Sequence, residues 1–600
     1  MGIYTELYPV NNHLRHAELL DGLWRFQFDP ESRGEADAWP KNGLPESISM
    51  PVPASFSDVF TDARSRDYAG DFWYETAFCV KEVSPDKRYF IRFGSVTHTC
   101  RVFVNGVECA SHTGGFLPVV ADVTSAVVPG MNRLTVKANN ELSETNIPCG
   151  TTVRRSDGSK RSMGYFDFFN YSGIQRSVYY MELPKCAIKD YSLVYRLEGS
   201  DAYIDYKIEA DGGDEVSIAF IDAEGKVAAR GDGEQGTLFI PSAHLWKVRN
   251  AYLYDVAIEL KQGGKVTDRY TAKAGIRTVE IKGESILLNG EKVYLKGFGK
   301  HEDADMIGRG FNYAIAKRDY ECLKWIGANC FRTSHYPYAE EWYRMADEEG
   351  FLIIDEVPAV GMMRSIANFL TAGRGEAKGF FAECPDIETL SKNHRAAIEE
   401  VIARDKNHPS VIAWSIFNEA ETYTELAEKY FAPLFELARA LDPQKRPLTG
   451  ALEKSSSPAA CRVNKMMDFI CLNRYYGWYI SGGELEEAER MFREEMDAWQ
   501  AKKLNKPFVF TEFGTDTLDT LHKLPGVMWS QEYQQEYMRM HFEVFAGYPA
   551  IQGELAWNFA DFQTGQGIMR VNGNKKGVFT RQRQPKAAAY TIRERWLNIK

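Results

Sequence analysis

Two kinds of hydrophobic pattern divide the chain near residue 278. Before it, short alternating or β-branched runs are separated by turn residues. Arg101–Val104 leads into Asn105-Gly106, and Asn132–Ala138, Ser177–Met181 and Ser192–Arg196 follow. Period-2 alternation puts successive side chains on opposite faces of a sheet, one buried and one wet. Asn-Gly between two such runs predicts a hairpin, because both residues tolerate the positive φ of a tight turn. The pattern predicts a jelly-roll-like β-sandwich over 1–182. A smaller, immunoglobulin-like β-sandwich is predicted over 183–277, with turns at Asp211-Gly212-Gly213-Asp214 and Gly231-Asp232-Gly233-Glu234.

After residue 278 strand-like and helix-like segments alternate. The strand candidates are Val293–Gly297, Cys330–Ser334, Phe351–Glu356, Val411–Phe417, Leu448–Ala451, Phe469–Asn473, Phe508–Glu512 and Ile551–Trp557. Helical periodicity covers Lys317–Ile326, Ala339–Glu349, Ser391–Arg404, Glu425–Leu441, Glu484–Gln500 and Gln531–Phe545. This rhythm predicts a (β/α)8 barrel over 278–600. A doubly wound open sheet is the rival, but no glycine-rich phosphate turn follows the first strand.

Reactive side chains of such a barrel sit where strands end at their carboxyl side. Glu419 closes VIAWSIFNE after the fourth strand, preceded by Asn418, and Glu512 closes FVFTE after the seventh. One isolated glutamate there is more often a solvated strand end. Two on opposing sides of one mouth fit glycoside hydrolysis, in which one carboxyl attacks the anomeric carbon and the other protonates the leaving oxygen. The residues alone do not say which takes which role. A non-hydrolytic carbohydrate-binding protein is the alternative from a different class, although a binding module has no need of both acids.

Composition narrows the setting. Apolar residues make up 44% and charged residues 26% of 600, which excludes a disordered or collagen-like chain. The balance of 72 basic against 83 acidic residues, −11, argues against general binding to nucleic acid or anionic membrane. The longest apolar stretches are too short to span a bilayer, and the first residues lack a signal-peptide pattern. The ten cysteines contain no CxxC pair and read as reduced thiols of a cytoplasmic protein. Against that acidic background, Arg570–Lys586 holds six basic residues and no acidic one. Such a run is usually a solvated loop, but its place after the eighth strand favours an anion pocket. His301-Glu302-Asp303 lacks zinc-ligand spacing, so no metal or cofactor is expected.

Several motifs closely resemble the β-glucuronidases of glycoside hydrolase family 2, and the resemblance covers essentially the whole chain. NHPSVIAWSIFNE (Asn407–Glu419), FVFTEFG (Phe508–Gly514), GFGKHEDAD (Gly297–Asp305) and RTSHYPY (Arg332–Tyr338) carry the family. LNRYYGWY (Leu472–Tyr479), AWNFADF (Ala556–Phe562) and MRVNGNKKGVFTR (Met569–Arg581) carry the specificity. The resemblance implies a retaining exo-hydrolase of small-molecule β-D-glucuronides. Glu419 would be the acid/base, Glu512 the nucleophile and Asn418 the partner of the sugar 2-hydroxyl. Tyr475 would orient the nucleophile, and His335, Asn473, Tyr479 and Trp557 would line the sugar subsite. Asp167, in DFFNY, would reach sugar hydroxyls from the first domain. Asn574 and Lys576, with Arg570 nearby, would bind the uronic carboxylate, which needs a cation and hydrogen bonds to offset its desolvation. β-Galacturonidase and β-galactosidase are sibling alternatives.

The chain departs from the family pattern at Ala420, where proline is common, and in GYFDFF before and around Asp167, which is one residue shorter. The long stretch between Gly361 and Pro385 resembles a loop that overhangs the aglycone in some bacterial relatives. Met362, Met363, Phe369 and Leu370 suit adaptable apolar contact there. Relatives use this loop at a subunit contact, which implies a homotetramer.

Overall fold

A computed structural model describes residues 7–363 and 379–599. Three cores follow one another along the chain. The first is a sandwich whose six-stranded sheet runs, in spatial order, Ile48–Val52, Gly22–Asp29, Asp71–Val80, Gly130–Asn139, Thr99–Val104 and Val107–Thr113. Its four-stranded partner holds His16–Leu19, Val178–Pro184, Lys87–Phe93 and Val119–Asp122. Phe72, Tyr74, Val102 and Val136 from one sheet pack against Tyr89, Ile91, Val119 and Tyr180 from the other. Asn105 and Gly106 turn the expected hairpin with φ of 51° and 84°. The last strand runs past residue 182 to Pro184, because it stays paired with the strand that starts at Lys87.

The second core lies between a three-stranded sheet (Ala187–Glu198, Asp201–Asp211, Gln235–Ile240) and a four-stranded one (Val227–Asp232, Glu215–Ile221, Tyr254–Gln262, Lys265–Ala274). A small sheet over Val279–Lys282, Ser285–Leu288 and Glu291–Lys292 then leads into the barrel. Its Ile286 and Leu288 join Trp246, Leu295, Cys330, Leu352, Cys471, Val509 and Leu555, plugging the barrel where its strands begin.

Eight parallel strands close that barrel. They are β1 (Leu295–Lys300), β2 (Cys330–Thr333), β3 (Leu352–Glu356), β4 (Val411–Asn418), β5 (Leu448–Leu452), β6 (Ile470–Asn473), β7 (Phe508–Glu512) and β8 (Ile551–Ala556). Around them lie α1 (Tyr313–Ile326), α2 (Glu340–Glu349), α3 (Ile387–Asp405), α4 (Glu425–Leu441), α5 (Leu485–Ala501), α6 (Gln531–Ala546) and α7 (Ala587–Asn598). Capping side chains set several helix starts. Asn312 accepts from the amides of Ala314 and Ile315, Asp386 from Thr389 and Thr424 from Ala427. Among the described residues, the β5–β6 connection carries turns and no helix. No described helix is long and apolar enough to cross a membrane.

The first sandwich reaches onto the barrel. The Cys149 amide donates to Val360 O at 2.9 Å, and the Phe169 amide to Gln563 O at 2.9 Å. Phe168 lies against the rings of His301, His335 and Tyr336. Phe169 and Tyr171 flank this docking, so Asp167 arrives at the barrel mouth as part of an interdomain contact.

Close approach of β1 and β2 gives a stability test. A Cβ on Gly297 would lie 1.7 Å from Cys330 O, a backbone atom that cannot swing away. Gly297→Ala should cost about 1–3 kcal/mol or more, read as a lower thermal midpoint. Gly565→Ala, with open space around its Cβ, is the control, and equal midpoints would refute the argument.

Candidate active site

At the carboxyl ends of the strands one guanidinium joins four of them. Arg332, at the end of β2, has no exposed surface. Its Nη1 donates to Glu356 Oε2 of β3 at 2.7 Å and to Asn418 Oδ1 of β4 at 3.2 Å. Its Nη2 donates to Glu512 Oε1 of β7. The other Glu512 oxygen, Oε2, accepts from the Tyr475 hydroxyl at 2.5 Å. Both oxygens of this carboxylate are thereby aimed, one by a cation and one by a phenol. His335 sits between, with Nδ1 2.9 Å from Glu356 and Nε2 3.7 Å from Glu512 Oε1, its ring stacked on Trp557 at 5.0 Å. Burial would raise the Glu356 pKa, but Arg332 and His335 outweigh it and hold that carboxyl below its ordinary range.

Glu419 has a different environment. Its backbone turns left-handed (φ 49°), which costs an L-residue about 1–2 kcal/mol. The Glu419 amide bonded to Ala451 O and the Asn418 amide bonded to Ala359 O hold that turn. Asn473 Nδ2 donates to Glu419 Oε1 at 2.9 Å and to Asn418 Oδ1 at 3.2 Å, while Thr511 donates to Asn473 Oδ1 at 2.7 Å. Burial, then the Glu512 charge, pushes the Glu419 carboxyl well above its ordinary pKa, against the opposing Asn473 bond. Two carboxyl groups with such separated surroundings suit one proton donor and one nucleophile.

A cationic pocket adjoins them. Lys576, 1% exposed, donates through Nζ to the Tyr479 hydroxyl at 2.9 Å and to Asp516 Oδ2. The amine lies 4.8 Å from the centre of the Tyr479 ring and 5.6 Å from that of Trp478. Arg570 donates to both Asp167 oxygens, to Asp516 Oδ2 at 3.3 Å and to the Tyr479 hydroxyl at 3.1 Å. Asn574 Nδ2 donates to Asp167 Oδ2 at 3.0 Å.

The expected sugar-site residues Asn418, Asn473, Tyr475, His335 and Trp557 thus adjoin the two glutamates, and Tyr479 connects them to Arg570, Asn574 and Lys576. Asp167 bonds Arg570 and Asn574. Only part of the basic run faces this pocket: Arg581 pairs with Asp58, Asp303 and Asp305, Arg583 with Asp319, and Lys575 and Lys586 with Asp561. Trp414 donates to Asp442 and packs in the core. Met362 is fully buried in the barrel core and Met363 nearly so, so both present packing instead of an open apolar face. Phe369 and Leu370 lie outside the described residues. Among the described residues, no cluster of His, Cys, Asp or Glu is arranged to hold a metal. Sequence reasoning does not single out the roles of Arg332, Glu356 or Asp516. For Asp516 the available signal is its position just beyond EFG on β7.

Comparison with known proteins places this site in a family. The sugar binding domain of glycosyl hydrolases family 2 matches residues 17–184, glycosyl hydrolases family 2 matches 186–277, and its TIM barrel domain matches 279–600. The chain is 44% identical to a β-glucuronidase of Paenibacillus borealis, covering 98% of each, and 38% identical to that of Homo sapiens, covering 99% of this chain and 92% of the relative. The structure of Ruminococcus gnavus β-glucuronidase matches with a TM-score of 0.98 at 58% identity, covering 100% of both chains. The same enzyme in complex with uronic isofagomine matches at 0.97, covering 99% of each.

The charge of Glu512 is one cause of the raised Glu419 pKa. Glu512→Gln should therefore let Glu419 ionise at lower pH, read by infrared titration of the protonated carboxyl band. An unmoved band would mean that the neighbouring charge does not control this proton.

Proposed function

The chain belongs to glycosyl hydrolase family 2, and from that premise we infer that it hydrolyses β-D-glucuronides with retention, releasing glucuronic acid and an aglycone. The carrying observation is Lys576, an almost wholly buried amine connected through Tyr479 to the neighbourhood of the paired glutamates. A neutral sugar gives such a pocket no anion to bind, whereas a uronic carboxylate does.

In the mechanism this reading assigns, Glu512 attacks the anomeric carbon while Glu419 gives its proton to the glycosidic oxygen. The carbon–oxygen bond breaks, the aglycone leaves as an alcohol, and the sugar remains as an ester on Glu512. Esterification removes the Glu512 charge that had opposed ionisation of Glu419. Glu419, now deprotonated, takes a proton from water as the water oxygen attacks the same carbon and frees Glu512. Asn418 serves the 2-hydroxyl, and Asp167, His335, Asn473, Tyr479 and Trp557 line the sugar. Arg570, Asn574 and Lys576 receive the carboxylate. The finer reading is a cytoplasmic homotetramer acting on small-molecule glucuronides.

Rates on aryl β-D-glucuronide, β-D-galacturonide and β-D-galactoside, with and without chelator, test the reading. Strong glucuronide preference that survives chelation is expected, and galactoside preference would overturn the specificity. Glu512→Ala should abolish turnover while ligand binding persists. Lys576→Gln should lower the glucuronide-to-galactoside ratio of kcat/KM by about ten- to a hundredfold, the value of one charge-assisted hydrogen bond.

A further inference from the structure

Asp516 is fully buried just beyond the end of β7. Its Oδ1 accepts from the Lys575 amide at 2.8 Å, which fixes the carboxylate to the backbone of the Asn574–Lys576 segment. Its Oδ2 accepts from both Lys576 Nζ and Arg570 Nη1. Burial alone would push the Asp516 carboxyl up in pKa, yet Lys576 and Arg570 together hold it below the ordinary carboxylate range. An ammonium has three N–H donors. Lys576 commits one to Asp516 and one to the Tyr479 hydroxyl, leaving a single N–H for a ligand oxygen. Two cations held side by side also repel, strongly where water is excluded, and a lysine stem has the rotamer freedom to swing away. The shared Asp516 oxygen opposes both effects.

We propose that Asp516 is the positioning residue for uronate specificity: without touching the sugar, it holds Lys576 and Arg570 together and turns the one uncommitted ammonium N–H toward the substrate carboxylate. The assignment rests on the reading that Arg570, Asn574 and Lys576 receive that carboxylate. It differs from a merely structural role in its signature. A buried aspartate that only stabilises the fold would affect every substrate alike. One that positions the carboxylate receptors affects uronides far more than neutral glycosides.

The test compares 4-nitrophenyl β-D-glucuronide and 4-nitrophenyl β-D-glucoside with the wild-type chain, Asp516→Asn, Lys576→Met and the double variant. For Asp516→Asn, KM for the glucuronide should rise about ten- to a hundredfold, with a smaller change in kcat and a matching fall in the glucuronide-to-glucoside ratio of kcat/KM. In the Lys576→Met background the same change should lower the ratio much less, because the positioned group is gone. Equal losses on both substrates, or an unchanged glucuronide KM, would overturn the assignment. If Lys576→Met itself keeps full glucuronide preference, the uronate reading fails. If Lys576→Met loses the preference and Asp516→Asn keeps it, only the role of Asp516 fails. Should Asp516→Asn not fold, Asp516→Glu keeps the buried charge but displaces it by one methylene. A reduced ratio in that variant supports the assignment, and an unaltered one refutes it.

Discussion

A buried guanidinium has to be neutralised, and the geometry of the barrel mouth follows from how Arg332 is. With no exposed surface, it bonds Glu356, Asn418 and Glu512, three side chains from three other strands. Only with both acidic partners gone would a buried charge be left uncompensated, at a cost of about 3–5 kcal/mol. The strand ends therefore cannot drift independently. Glu512 is held by the same contacts that satisfy the arginine, and its second oxygen is aimed by Tyr475.

The two glutamates differ because their neighbours differ. Glu512 faces a cation and a phenol, whereas Glu419 accepts from the neutral Asn473 amide. Glu453, itself buried and raised in pKa by that burial, adds a further negative influence on Glu419. The asymmetry arises from which strand supplies which neighbour. Arg332 from β2 reaches across to β7, while Asn473 at the end of β6 reaches back to β4.

The strands were largely legible because they are short, mainly apolar runs, and most end in a polar residue at the mouth, as at Glu356, Asn418, Asn473 and Glu512. Phe508–Glu512 and Glu425–Leu441 fall where the pattern puts them. Helix starts at Tyr313 and Ile387 precede the expected ones, since the side chains of Asn312 and Asp386 cap an extra first turn at each. The closing helix Ala587–Asn598 follows a basic stretch that masks its start. Within the site, strand-end glutamates stand out in a sequence, but their partners do not. Arg332 and Glu512 are 180 residues apart, and only barrel closure brings them together. The basic run illustrates the same limit. Its charge density is visible in the sequence, but its division between an anion pocket and ion pairs with Asp58, Asp303, Asp305, Asp319 and Asp561 depends on tertiary placement.

Asp167 carries a consequence for how far this architecture is modular. It belongs to the amino-terminal sandwich, yet it bonds Arg570 and Asn574 of the barrel. A barrel excised or grafted without its own sandwich would lose an anion from the pocket, and a sandwich borrowed from another chain would bring its own residue to that place. Recombination among relatives is therefore constrained at a spatial junction between domains as well as at the boundaries along the chain. The unit that must be inherited intact is the pair of surfaces meeting at Asp167, with the strand ends beneath them.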